Sequence, residues 1–116
     1  MKDMEIWDKV KSLSGKELNT YVEKERNFII EVEDTNSIND KVIIHDRLTF
    51  PTREDIVGAC KLLFIQGELN RKRDLQWLSS PNKKVSSIVF RIVGEITKPY
   101  SRIVWKNNEP ILFYKH

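Results

Sequence analysis

Three carboxylates fall within four consecutive residues at Glu31, Glu33 and Asp34, a density that in an active site would serve a metal ion or an acid–base pair. A metal-dependent nuclease also calls for a lysine two residues beyond a strand carboxylate. Glu33 occupies that position after Glu31, and no lysine follows Glu33 at the same spacing. The run therefore reads as the solvated edge of a strand. His45-Asp46 forms a couple with no nucleophile to serve, and a histidine at a hairpin end is ordinarily half-exposed. Gly15-Lys16 lacks the glycine spacing and the Lys-Ser/Thr ending of a phosphate loop. Cys60 is the single cysteine, which excludes an intramolecular disulfide, and His45 and His116 are too few to complete a zinc set with it. The residues thus point to no enzyme, and no metal or cofactor is expected.

The basic residues are more informative. Residues 1–50 hold 8 Lys and Arg against 11 Asp and Glu, a balance of −3, whereas residues 51–116 hold 12 against 6, a balance of +6. Between Arg71 and Lys106 stand nine bases (Arg71, Lys72, Arg73, Lys83, Lys84, Arg91, Lys98, Arg102, Lys106) and two acids, Asp74 and Glu95. Such a concentration suits a polyanion, or else a solvated basic face. The acids of the first half, among them Glu23, Glu25, Glu31, Glu33, Asp34 and Asp40, must then face away from that polyanion, and could dock a protein partner.

These side chains need elements to hold them. At 116 residues, with 40% hydrophobic and 32% charged residues and only 4 Gly and 4 Pro, the chain has a globular composition sufficient for one domain or two small units sharing a core. Ile6, Trp7, Val10 and Leu13 fall at helical spacing, closed by Gly15, in a short helix expected to lie over a small sheet. Glu17 to Val22, Phe28 to Glu33 and Lys41 to His45 read as strands, the last two joined by the turn Thr35 to Asp40. Residues 1–50 are thus one unit, a helix with a small antiparallel sheet whose curl is read as SH3-like.

Residues 51–116 make the second unit. Pro51 ends the strand, and Thr52 with Asp55 three residues later forms a capping box for a helix. Ile56, Ala59, Cys60, Leu63 and Phe64 line the inner face of that helix up to Gly67, which places Cys60 in the core. After the link Glu68-Leu69, Asn70 caps a second helix from Arg71 to about Leu78, with Leu75 and Leu78 inward. Ser79-Ser80-Pro81-Asn82 is a turn, and Asn82 caps a third helix to about Val93, with Gly94 as its stop. Val85, Ile88, Val89, Ile92 and Val93 are β-branched, yet at 100° per residue they share one side, with Lys83, Lys84, Ser87 and Arg91 opposite; the period decides for helix. Ser101 to Trp105 and Pro110 to Tyr114 flank a polar turn at Lys106-Asn107-Asn108-Glu109, a terminal hairpin. The fold class is α+β.

Helix, short helix, turn, helix and hairpin, in that order over residues 52 to 116, resemble the winged helix-turn-helix superfamily. Residues 13 to 93 are also similar to small uncharacterised prokaryotic and phage proteins that fuse a Ser-Leu-x-Gly-Lys start, a short β-unit and a helix-turn-helix. The first resemblance implies a three-helix unit with a wing, in which the third helix reads the major groove. Lys83, Lys84, Ser87 and Arg91 would be its reading side, Arg71 and Arg73 would bind the nucleic acid in support of it, and Arg102, Trp105 and Lys106 on the wing would reach the backbone or minor groove. Within this frame Trp105 is expected to be a core residue, Phe90 to pack beneath the N-terminal unit or in a dimer contact, and Asp74 to pair with Arg71 or Lys72.

The expected function is a non-enzymatic nucleic-acid-binding module on duplex DNA, such as a transcription regulator or a mobile-element accessory factor. The alternative is a protein–protein interaction module or inhibitor with the same fold. A homodimer is compatible with either. No apolar run approaches the ~20 residues of a membrane span, and acids at Asp3 and Glu5 do not suit a secretory signal, so the expected location is the cytoplasm, with no membrane partner.

Overall fold

A computed structural model describes residues 2–20, 27–35, 37, 39–45, 50–76 and 83–115, with backbone alone at Lys83 and Lys84. Val22, Glu23, Glu25, Asp46, Leu78, the Ser79–Asn82 turn with its cap, and His116 lie outside them.

The first helix, α1 (Asp3–Lys11), buries Ile6, Trp7 and Val10, the residues its spacing singles out. Its main packing is against two later helices. The turn after it is tied to the first sheet, where Gly15 N–H donates to Ile30 O and Val32 N–H to Ser14 Oγ. That sheet has the order β1-β2-β3, with β1 (Glu17–Asn19), β2 (Asn27–Val32) and β3 (Val42–Ile44) antiparallel. Leu18, Phe28, Ile30, Val42 and Ile44 point into the core. An SH3-like barrel would need more strands than the three present among the described residues.

The loop before α2 is organised by a buried acid. Asp40 accepts hydrogen bonds from the backbone N–H groups of Thr35 and Ser37 and from the Thr35 hydroxyl, and lies 4.0 Å from Arg53. The Arg53 guanidinium stands over the Trp7 ring at 5.4 Å, so one arginine joins this loop, α1 and α2. Helix α2 (Arg53–Gln66) begins with the expected capping box: the Thr52 hydroxyl accepts from Asp55 N–H, and the Asp55 carboxylate accepts from Thr52 N–H. It ends at Gly67, whose φ of 76° lies in the left-handed region that glycine adopts without strain.

The link Glu68-Leu69 is a strand, β4 (Glu68–Asn70), which pairs with β6. Three residues are too few to show a period of two, and the partner is more than forty residues away in sequence. Asn70 caps α3 (Arg71–Asp74), accepting from Lys72 and Arg73 N–H. This helix stops at Asp74 rather than continuing toward Leu78, although Leu75 is buried as expected. Helix α4 (Lys83–Ile96) is indeed helical, but it runs through Gly94, which is buried inside it. Thr97 closes it by donating its hydroxyl to Val93 O.

The chain finishes with β5 (Ser101–Lys106) and β6 (Glu109–Tyr114), and β4 completes a second sheet of order β4-β6-β5. A single hydrophobic cluster joins residues of α1, the first sheet, α2, β4, α4 and β6.

Cys60, on α2, is fully buried, and that burial pushes its thiol up to about 12. At pH 8 the folded protein should leave Cys60 unreacted toward a chromogenic disulfide reagent, whereas one thiol per chain should react in denaturant. Rapid reaction without denaturant would show that this core opens locally.

Candidate nucleic-acid interface

Asn107 and Asn108 both have positive φ, 51° and 62°, in the two-residue turn between β5 and β6. Asparagine tolerates that region, and two such residues give a hairpin turn whose twist matches that of the strands. Register then sorts the hairpin into two faces. Ile103 stands opposite Leu112, and Leu112 opposite Leu69, on the face toward the core. Arg102 opposite Phe113, Val104 opposite Ile111, and Lys106 opposite Glu109 make up the other face.

The nine bases do not act as one field, because most are matched internally. Arg71, expected to support a reader helix, is only 3% exposed. It donates from Nη2 to both carboxylate oxygens of Glu109 at 3.2 Å and from Nη1 to Ser87 Oγ at 3.4 Å. Lys72 reaches the same Glu109 at 3.1 Å. Arg73 pairs with Asp74 at 2.8 Å and Glu68 at 3.3 Å. Asp74 thus takes neither Arg71 nor Lys72, because Arg71 turns inward to Glu109. Arg91 donates to Asn19 O at 2.8 Å and bonds Glu95 at 2.7 Å, and Lys98 reaches Glu95 at 2.9 Å.

The proposed reading side of α4 is therefore not an open surface over its described part. Ser87 is buried and Arg91 is tied to the β1 backbone. Phe90 is buried within the chain at 1% exposure. Of that side, Lys83 and Lys84 open the helix where the backbone alone is described. Trp105, expected in the core, is 53% exposed: its alternation does place it on the core-side parity, but near the hairpin tip, beyond the reach of the core.

The arrangement leaves Arg102, Lys106 and Lys115 exposed and without an acidic partner among the described residues. Lys115, Tyr100 and Phe113 went unnoticed in the sequence because the basic window was closed at Lys106, which also hid Glu109 as the acid that neutralises Arg71 and Lys72. The visible signal was parity: Tyr100, Arg102, Val104 and Lys106 alternate along one strand. Elsewhere, Glu31 pairs with His45 at 2.9 Å across β2 and β3, and Asp34 lies 3.6 Å from Lys11. No group of three metal-ligating side chains occurs among the described residues. No family model, curated protein or solved structure matches the chain.

Burial works against the charged forms of Asp74, Glu95 and Glu109, but their cationic partners outweigh it and hold all three carboxyls below their ordinary values. Because these carboxyls are easier to ionise when folded than when unfolded, their contribution is complete above about pH 5 and is lost as pH falls below about 4. Thermal unfolding followed against pH should show that decline, and its slope should lessen in Glu109→Gln. Glu109→Ala, which strands the buried Arg71 charge, should cost about 3 kcal/mol in urea unfolding. Arg71→Met should cost less than half as much, because Lys72 still accompanies Glu109. Equal losses would show that the pair has no special weight.

Proposed function

We propose that this protein is a non-enzymatic nucleic-acid-binding module that engages duplex DNA through the β5–β6 hairpin. The observation that carries this reading is the contrast between five bases consumed by internal partners and three, Arg102, Lys106 and Lys115, displayed on one hairpin with no ion pair among the described residues, Glu109 opposite Lys106 being held by Arg71 and Lys72. A cation already matched has little to gain from a phosphate, whereas an unmatched one releases condensed counterions when it neutralises one. Trp105, half-exposed near the tip, lies on the opposite face from Lys106 and adds a flat apolar surface at the end of the hairpin.

The winged helix-turn-helix resemblance is supported by the order α2, β4, α3, α4, β5, β6, in which β4 joins the hairpin to form a three-stranded sheet. Within that scheme the wing takes the principal role, and α4 offers at most its first turn, Lys83 and Lys84.

Three phosphate contacts correspond to a slope of about −2.7 in log affinity against log salt, and two more from Lys83 and Lys84 would steepen it to about −4.5. Fluorescence anisotropy with a labelled duplex should return a slope in that range. Lys106→Ala should flatten it by about one unit for every sequence, and Arg73→Ala should leave it unchanged. If the triple alanine variant of Arg102, Lys106 and Lys115 folds and binds duplex as the parent does, the hairpin is not the contact and the protein-partner reading takes its place.

A further inference from the structure

At the open end of the hairpin, away from the Asn107-Asn108 turn, the outward face of the second sheet forms a groove of about 470 Å³. Tyr100, Arg102, Phe113 and Lys115 line it. Its shape follows from the strand register. Lys115 N–H donates to Tyr100 O at 2.7 Å, and Arg102 lies opposite Phe113, so two cations and two aromatic rings alternate across neighbouring rungs. Tyr100 is 59% exposed, so its ring is open to a ligand.

We propose that this groove holds one unpaired nucleotide of a bound nucleic acid, with the base stacked on Tyr100 and Phe113 and the phosphate held by Arg102 and Lys115. Each element of the chemistry has a counterpart. The volume falls within the range of small-molecule sites and exceeds what one side chain needs. An aromatic ring stacks on any base, whatever its sequence. Arginine can donate two parallel hydrogen bonds to a phosphate, and lysine supplies a second charge. The lining contains no carboxylate. Glu68, which stands opposite Phe113 on the β4 side, is paired with Arg73 at 3.3 Å. An anion entering the groove therefore meets no uncompensated negative charge.

The inference rests on the hairpin being a nucleic-acid contact, and it adds a substrate form: a duplex with a single-stranded end, held by Lys106 toward the tip and by the groove at the base. The strand order places the groove and the tip at opposite ends of β5. Six residues of strand separate them by roughly 20 Å, the span of a few stacked nucleotides.

The test compares a blunt duplex with the same duplex carrying a four-nucleotide thymidine extension, measured by anisotropy with the full chain. The extended duplex should bind about fivefold tighter or more, the gain expected from stacking one base. Tyr100→Ala should abolish that gain and leave blunt-duplex affinity unchanged. Tyr100→Phe should restore it, and Lys106→Ala should weaken both substrates alike. Circular dichroism of each variant confirms the fold. Equal affinity for the two substrates, with blunt binding intact, overturns the groove assignment and leaves the hairpin reading standing; no binding to either overturns both. Protection of Tyr100 by free thymidine monophosphate, with no preference for the extended duplex, would move the occupant to a free nucleotide and overturn the strand-end assignment.

Discussion

From Val85 to Phe90 six consecutive side chains of α4 are buried, and Ile92, Val93, Ile96 and Thr97 follow. A helix on which Ser86 and Ser87 are buried along with the apolar side must be enclosed on more than one side, because no single sheet or helix face can cover it. Its neighbours are α1, α2, α3 and β5, and the N-terminal segment supplies the cover that the C-terminal elements leave open. Ile6, Trp7 and Val10 of α1 join the same cluster; each is worth ~2 kcal/mol of gross burial. The tie from Arg91 to Asn19 O fixes the first sheet to the helix by a charge-assisted hydrogen bond. A helix so enclosed can present to a partner only its ends.

This enclosure also decides how the basic residues are used. A polar group on α4 or beside it is drawn into the interior and must be satisfied there, which explains why Ser87 receives the Arg71 guanidinium and Arg71 in turn requires Glu109. Net charge over a stretch of sequence counts such arginines at full value, although their charge is cancelled within the protein. What a polyanion would meet is the remainder, which at the described surface includes Arg102, Lys106 and Lys115 on the hairpin.

Those features of the fold that rest on local rules were legible in the sequence. Thr52 with Asp55, Asn70, and Gly67 each act through neighbours no more than four residues away, and the period of Val85 to Val93 outweighed β-branched propensity. Cys60 followed from the same inner-face spacing. Features that depend on distant partners were not legible: β4 exists because β6 pairs with it, Ser87 is drawn to Arg71, sixteen residues away, and Arg91 is held by Asn19 O in β1. A helical wheel has two sides and assumes that one faces water. Here both are covered, so the wheel named the core side correctly and gave the opposite side an exposure it does not have. Trp105 failed in the other direction, because alternation gives a side chain's face but not whether the core extends far enough to meet it.

The part-buried Glu109 is the link between these two outcomes. It sits at the start of β6, directly beside the turn, and its carboxylate is held by Arg71 and Lys72 from α3 while Arg71 reaches α4. The hairpin is thereby anchored near its tip as well as along β4. Two-stranded ribbons are otherwise prone to twist and sway. With both points fixed, Arg102, Lys106 and Lys115 are carried on a surface whose geometry is set by the fold, so the binding proposed for them would lose less conformational freedom. The arginine that the sequence offered as a DNA contact thus acts by holding the hairpin in place, and charge lost to the interior is returned as order in the charges that remain outside.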